Sequence, residues 1–432
     1  MNHEKLVAKK LYAIRLGLLT PMNIGGSEDE NTDHDLIRDG EGKFFLPGTS
    51  IAGAIFGYCK KNKDVFPLLL HSTDCETMSK VIISDGCFSE VTEAIRDGVA
   101  LDMDHGEKTA LDKSKYDYEV AEKDGSFEFS IELTLRTRDI KDDVHKTLAG
   151  YDDEIKKILW AMDEQLIRFG YKKNRGYGCV KVESSSCQEF YGDTLKDFLK
   201  RDAVPFVPFD FPHVDDFSSY HVIQVDELSL LSGISIRSYS TLCFKADHSH
   251  IQSNGTPAIS GTSWAGLLRS QMNAIAKSLG YQDYRHDTIF GSIGEDSEAI
   301  RSKILFMESY LEGGIDMDST RTAIDDVTGS ALNAHLFTEN VHYQGKTSLK
   351  ILLEKSVDDA LESKASVALL ALALYDLENG LCAIGGATSI GRGILLGDSI
   401  SFDGNKVSKD DTQASILKPY FEALCEKIKE EQ

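Results

Sequence analysis

Positive charge is scarce in this chain: 47 lysines and arginines stand against 70 aspartates and glutamates, a formal net charge of -23. Affinity for polyanions comes from cations that displace condensed counterions. The balance therefore excludes a broadly basic protein and confines any polyanion site to a local groove. The eight cysteines include no C-x-x-C pair, which excludes zinc-ribbon and dithiol redox motifs and leaves reduced thiols as the expectation. No apolar run approaches the roughly 18 residues that a membrane helix needs. The longest, SVALLALALY at 366–375, reads as a buried helix. The opening MNHEKLVAKK has neither an apolar core nor a small-residue cleavage site, so no secretory signal is expected and the cytoplasm is the expected compartment. Proline is rare, and Pro205, Pro208 and Pro212 fall in one stretch without helical or strand periodicity. That stretch, 184–220, reads as a linker.

What the chain does contain is a repeat. LPGTSIAGAIFGY (46–58) and ISGTSWAGLLRSQ (259–271) share G-T-S-x-A-G ahead of apolar residues. Each is followed, in the same order, by an apolar run (80–88 and 303–311) and a polar insert (ALD at 100–102, AID at 323–325). Next come a strand (127–136 and 347–355), an amphipathic helix (153–170 and 363–380) and a glycine-rich turn (171–183 and 383–397). Two homologous domains follow, 1–190 and 220–432, joined by a linker at 191–219. The order strand, helix, strand, strand, helix, strand predicts an α+β fold of two tandem ferredoxin-like, RRM-like domains with thumb-type insertions. Such a fold carries its helices on one sheet face and leaves the other open for a ligand. The C-terminal segment 420–432 reads as a short charged surface helix.

Several residues carry possible chemistry. The run Gly170, Tyr171, Lys172, Lys173, Asn174, Arg175, Gly176, Tyr177, Gly178 interleaves rings, cations and glycines. That composition lets a backbone approach RNA, stack bases and meet phosphates; an exposed tight turn is the bland alternative. In the second half Gly391, Arg392 and Gly393 keep one cation. Thr49 or Ser50 reads as the cap of the first G-T-S helix, and Gly261, Thr262 and Ser263 pose the same choice. Amides at such helix starts can bind phosphate, or can simply be capped. Asp33, Asp35 and Asp39, read alone, make a solvated acidic loop; His34, His248 and His250 are loop histidines or proton donors.

The segment LLTPMNIGGSEDENTDHDLIRDGEGKFFLPGTSIAGAI (18–55) resembles the N-terminal half of a RAMP-superfamily domain from CRISPR type III effectors. NRGYG (174–178) and SIGRG (389–393) are similar to that family's glycine-rich signature, and 95–129 and 320–345 to its thumb insertion. The second copy departs from the pattern in having Ser260 where proline is usual and in lacking the R-D pair.

The resemblance implies a backbone-type subunit of an antiviral ribonucleoprotein that holds guide RNA and a complementary target RNA beside other effector subunits. An Asp after the first strand would then serve metal-dependent target cleavage. Asp33 takes that position, and Asp247 takes it in the second half if the loop differs by one residue; both become catalytic and metal-ligand candidates, with Mg²⁺ or Mn²⁺ as the implied ion. The 2′-OH of RNA supplies its own nucleophile, so a carboxylate that holds a hard cation or acts as a base suffices. Asp35 is expected to assist. A non-catalytic scaffold or capping subunit is the alternative, and a metal-independent repeat-processing endoribonuclease a further one.

Overall fold

The computed structural model describes residues 5–25, 32–71, 79–102, 109–140, 142–199, 204–211, 219–239, 246–292, 299–407 and 416–431. The acidic stretch 26–31, the tip of the first thumb at 103–108 and two parts of the expected linker, 200–203 and 212–218, lie outside the described residues. The chain forms two compact units: one holds Met1–Ile95, Asp117–Lys173 and Tyr177–Ser218, the other Arg96–Tyr116, Asn174–Gly176 and Ser219–Gln432.

The first unit is built on a sheet in which the strand Leu6–Leu18 pairs antiparallel with Ser126–Arg136 on one side and Val180–Tyr191 on the other. Val81–Ile83 and Gly86–Glu90 add to the far edge of Ser126–Arg136. The spatial order fourth, first, third, second strand is the ferredoxin-like order expected from the sequence. Helix Gly48–Lys61 follows the first strand and helix Val144–Asp163 the third.

The side chains of Tyr12, Ile14 and Leu16 are buried in this unit's core, and alternation along the first strand sends Lys9 and Arg15 to different surroundings. There Lys9 pairs with Glu132, and Arg15 with Glu128 and Glu183 at 2.8 Å each. Lys9 also lies 4.1 Å from the ring centroid of Phe198, in the 3-10 segment Gly192–Leu199. The cations of this face are thus matched by carboxylates, and Arg15, Glu128 and Glu183 stay partly exposed to solvent.

The second unit repeats the plan. Tyr220–Leu230 pairs with Lys346–Glu354 and with Ser399–Phe402, and Ile304–Met307 lies beyond Lys346–Glu354. Helices Gly261–Ser278 and Leu361–Glu378 follow its first and third strands. The second is apolar nearly all round, as 366–375 predicts, because it is packed on several sides; Leu369, Leu370, Ala373 and Leu374 are all within 1 % of complete burial. A long antiparallel hairpin, Ile315–Ile324 with Ala331–Tyr343, forms the thumb of this repeat. Its counterpart in the first repeat is Glu93–Asp102 with Thr109–Ala121.

Three boundaries differ from the sequence reading for identifiable reasons. Helix Val144–Asp163 begins well before residue 153 because Asp143 caps it, accepting from His145 N–H, and it stops at Gln165, whose φ is +60°. The stretch from 184 is not an unstructured linker: it continues the strand to Tyr191, and Val207–Pro208 pairs back on Cys187 and Ser186. The C-terminal helix Lys418–Glu430 is not a plain surface element, since Tyr420, Ala423 and Leu424 are buried. Its Tyr420 hydroxyl donates to Asp358 at 2.8 Å.

Candidate nucleic-acid interface

In the first unit the loop after the first strand meets the returning strand of the thumb. Asp33 N–H donates to the Asp117 carboxylate and Asp117 N–H donates to Asp33 Oδ2, both at 3.0 Å. Asp33 is exposed, so its carboxylate is fixed in position yet reachable from solvent. Asp35, two residues on, turns inward: it is 9 % exposed and accepts from the Thr32 hydroxyl. Its expected role beside Asp33 is thus corrected to Asp117. Asp39 is local, accepting from the amides of Glu41 and Lys43 at 2.9 Å each.

The loop and the glycine-rich turn converge on Tyr118. The His34 carbonyl accepts from Glu119 N–H at 3.0 Å, and the His34 ring lies 6.5 Å from that of Tyr171. Tyr118 and Tyr177 hydroxyls meet at 2.8 Å, and Lys172 Nζ stands 3.4 Å from the Tyr118 ring centroid. Lys172 achieves this with φ of +52°. Arg168, unnoticed in the sequence, is buried beneath the turn and donates to the carbonyls of Lys173 at 2.6 Å and Gln165 at 3.1 Å. Lys173 is exposed at the surface, yet partial desolvation by the surrounding protein and then the charge of Lys61 hold its pKa below the usual lysine value.

Asn174–Gly176 belong to the second unit, where Arg175 and Gly176 pair in parallel with Phe306 and Met307. Arg175 is half-buried next to Arg269; burial, then the neighbouring guanidinium, lower its pKa to about 10. A Cβ on Gly261, the first residue of its helix, would stand 2.1 Å from the Arg175 carbonyl, so only glycine fits there.

The second repeat reproduces the loop-to-thumb strap. Asp247 N–H donates to the Thr338 carbonyl at 2.8 Å, and Thr338 N–H donates to Asp247 Oδ2 at 2.9 Å. Asp247 is exposed, like Asp33, but its partner carries no carboxylate. The adjacent Glu339, with 4 % of its side chain exposed, binds three arginines: Arg392, Arg321 at 2.6 Å and Arg237 at 3.1 Å. Arg392 is 6 % exposed, so the expectation of a solvent-facing RNA contact at this residue is corrected: it is a buried counter-ion. Gly391 and Gly393 keep the left-handed backbone of Gly176 and Gly178.

The helix starts are occupied by the protein itself. Neither Thr49 nor Ser50 is the N-cap; the helix begins at Gly48 after Pro47, and Gly48 N–H donates to the Asp85 carboxylate at 2.6 Å. In the second copy Ser260 is the cap: its Oγ accepts from Ser263 N–H at 3.3 Å and lies within 2.9 Å of the Thr262 and Ser263 hydroxyls. The departure from proline therefore has a local reason. His250 is 2 % exposed, accepts from Ile236 N–H through Nδ1, and is driven down to a pKa of about 3 by burial and then by His342. Buried to this degree, its ring is out of reach of a ligand at the surface. His248, half-buried, and His34, exposed, flank the two straps.

Among the described residues no three His, Cys, Asp or Glu side chains group as a metal site. A Mg²⁺-type ion nevertheless binds through one or two carboxylates plus phosphate and water oxygens. Asp33 with Asp117 fits that donor set, and Asp247 fits it with a single carboxylate.

Residues 15–181 and 247–395 match the family model of the RAMP superfamily, covering the strap, thumb and glycine turn in both halves. No curated protein matches the chain.

Proposed function

From a chain that belongs to the RAMP superfamily in both halves, we propose a backbone-type subunit of a CRISPR type III ribonucleoprotein that holds guide RNA and cuts the paired target at two loops. The observation that carries this reading is the repeated strap. In each half an exposed aspartate is pinned by backbone hydrogen bonds to its thumb, Asp33 at Asp117 and Asp247 at Thr338. A carboxylate so fixed is preorganised toward whatever the thumb positions.

Cleavage needs the target 2′-OH deprotonated and in line with the leaving 5′ oxygen. Asp33, with Asp117, would hold a divalent cation against the scissile phosphate, and that ion supplies charge neutralisation when bound. Asp33 or Asp247 accepts the 2′-OH proton or orders the water that does; the 2′ oxygen then bonds to phosphorus as a 2′,3′-cyclic phosphate while the bond to the 5′ oxygen breaks, and water protonates that leaving oxygen. The thumbs separate a nucleotide from its neighbours, which supplies alignment. Lys172, Lys173, Tyr171 and the turn amides support the backbone of the guide.

A non-catalytic scaffold is favoured by one observation, the missing second carboxylate at Thr338, and it applies to the second loop first. Asp33→Asn and Asp247→Asn decide between the readings, since asparagine keeps an acceptor for the strap while removing the charge. With Mg²⁺ and complementary target RNA, each substitution in the assembled complex removes one product. An unchanged product ladder from both makes the loops structural.

A further inference from the structure

Glu339 is one buried carboxylate facing three guanidinium groups. Arg392, with 7 % of its side chain exposed, supplies the internal counter-ion, so within this cluster two further guanidinium groups share the same carboxylate. Those belong to Arg237 and Arg321, whose side chains are 40 % and 39 % exposed. Each reaches Glu339 through Nη2 alone, on opposite carboxylate oxygens, Oε1 and Oε2. The two forks are thereby held side by side within the width of one carboxylate, and a guanidinium has five donors.

Their surroundings bring together the strap of the second repeat and its glycine-rich turn. Glu339 follows Thr338, the residue strapped to Asp247. Gly386 in the glycine-rich turn lies so close that a Cβ there would be 3.4 Å from Arg237 Nε. At the equivalent position of the first repeat the lock is the uncharged pair Tyr118 and Tyr177, and the nearby cation is Lys172.

We propose that Arg237 and Arg321, aligned by Glu339, form a phosphodiester clamp of the second repeat, which grips the backbone of single-stranded RNA without reading its bases. The assignment rests on the RNA-binding reading above and moves the second repeat's phosphate contact away from Arg392. Backbone contacts of this type carry no sequence information and are strongly salt-dependent.

The test uses the full chain and a fluorescently labelled single-stranded RNA of mixed sequence, titrated by anisotropy at several salt concentrations. Arg237→Gln with Arg321→Gln is expected to weaken binding at least tenfold and to flatten the slope of log K against log salt by about 1.4, about 0.7 for each lost cation. The loss should be equal for unrelated RNA sequences, and the Lys, Lys variant should recover part of it. Thermal melting of both variants separates lost binding from lost folding. Wild-type binding that the Gln, Gln variant keeps with an unchanged slope overturns the clamp alone. No RNA binding by the wild-type chain overturns the functional reading and the clamp with it.

Discussion

Tyr118 and Tyr177 touch hydroxyl to hydroxyl at 2.8 Å in the first repeat, while Glu339 and Arg392 fill the same two positions in the second as a buried ion pair. Both pairs join the returning thumb strand to the glycine-rich turn. The turns match in backbone as well: Gly170, Lys172, Gly176 and Gly178 have positive φ, as do Gly385, Ala387, Gly391 and Gly393. One scaffold position has thus been solved once with a neutral hydrogen bond and once with charges.

The two solutions differ in their sensitivity. Tyr177→Phe removes one hydroxyl and should cost about 1 kcal/mol, since its partner loses a single hydrogen bond. Arg392→Met removes the innermost of three partners of the Glu339 carboxylate, leaves Arg237 and Arg321 in place, and should cost about 2 kcal/mol. Urea denaturation of both variants measures the contrast.

Gly178 and Gly393 are the steric pivots of the turns. A Cβ at these positions would lie 1.8 Å from Phe169 O and 1.9 Å from Ile384 O, with φ of +71° and +74°. Alanine at either should destabilise by roughly 3 kcal/mol or more, because backbone must move. Gly391, at φ +82°, has open space around its would-be Cβ, so Gly391→Ala should cost only about 1 kcal/mol. Equal melting shifts in all three variants would contradict this ranking.

His221 links Asp403 through Nδ1 at 2.7 Å and Asp358 through Nε2 at 3.0 Å. Burial alone lowers its pKa, but the two carboxylates outweigh burial and raise it above the ordinary 6.5. A raised folded-state value means the stabilisation is complete below about pH 6.5 and disappears as pH climbs through the folded value. The melting temperature of the second unit should fall over that rise, and His221→Gln should abolish this part of the dependence. A variant that keeps the wild-type pH profile would contradict the assignment.

The duplication and the ferredoxin-like strand order were legible because they rest on periodicity and on glycine motifs that need a particular backbone, G-T-S at 48–50 and 261–263 above all. The partners of the site residues were not. Asp33 finds Asp117, and Asp247 finds Thr338, across hairpins whose register no local pattern states. Arg392 looked like an RNA contact because a cation between glycines ordinarily faces solvent; the buried Glu339, far along the chain, reverses that. Arg237 and Arg321 belong to no motif in the sequence, and only their shared carboxylate marks them. Asp85, which takes the amide of Gly48, likewise carries no sequence signal beyond a loop acid.

The central claim is that this acidic chain holds RNA through local cationic and glycine-rich surfaces. Its most direct test is to purify the tagged full-length protein from its host, trim unprotected RNA with nuclease, and sequence what remains bound. The account predicts protected RNAs of a narrow length class that share one repeat-derived end, and their depletion in the Arg237→Gln, Arg321→Gln variant. Recovery of no RNA above a mock purification would contradict it.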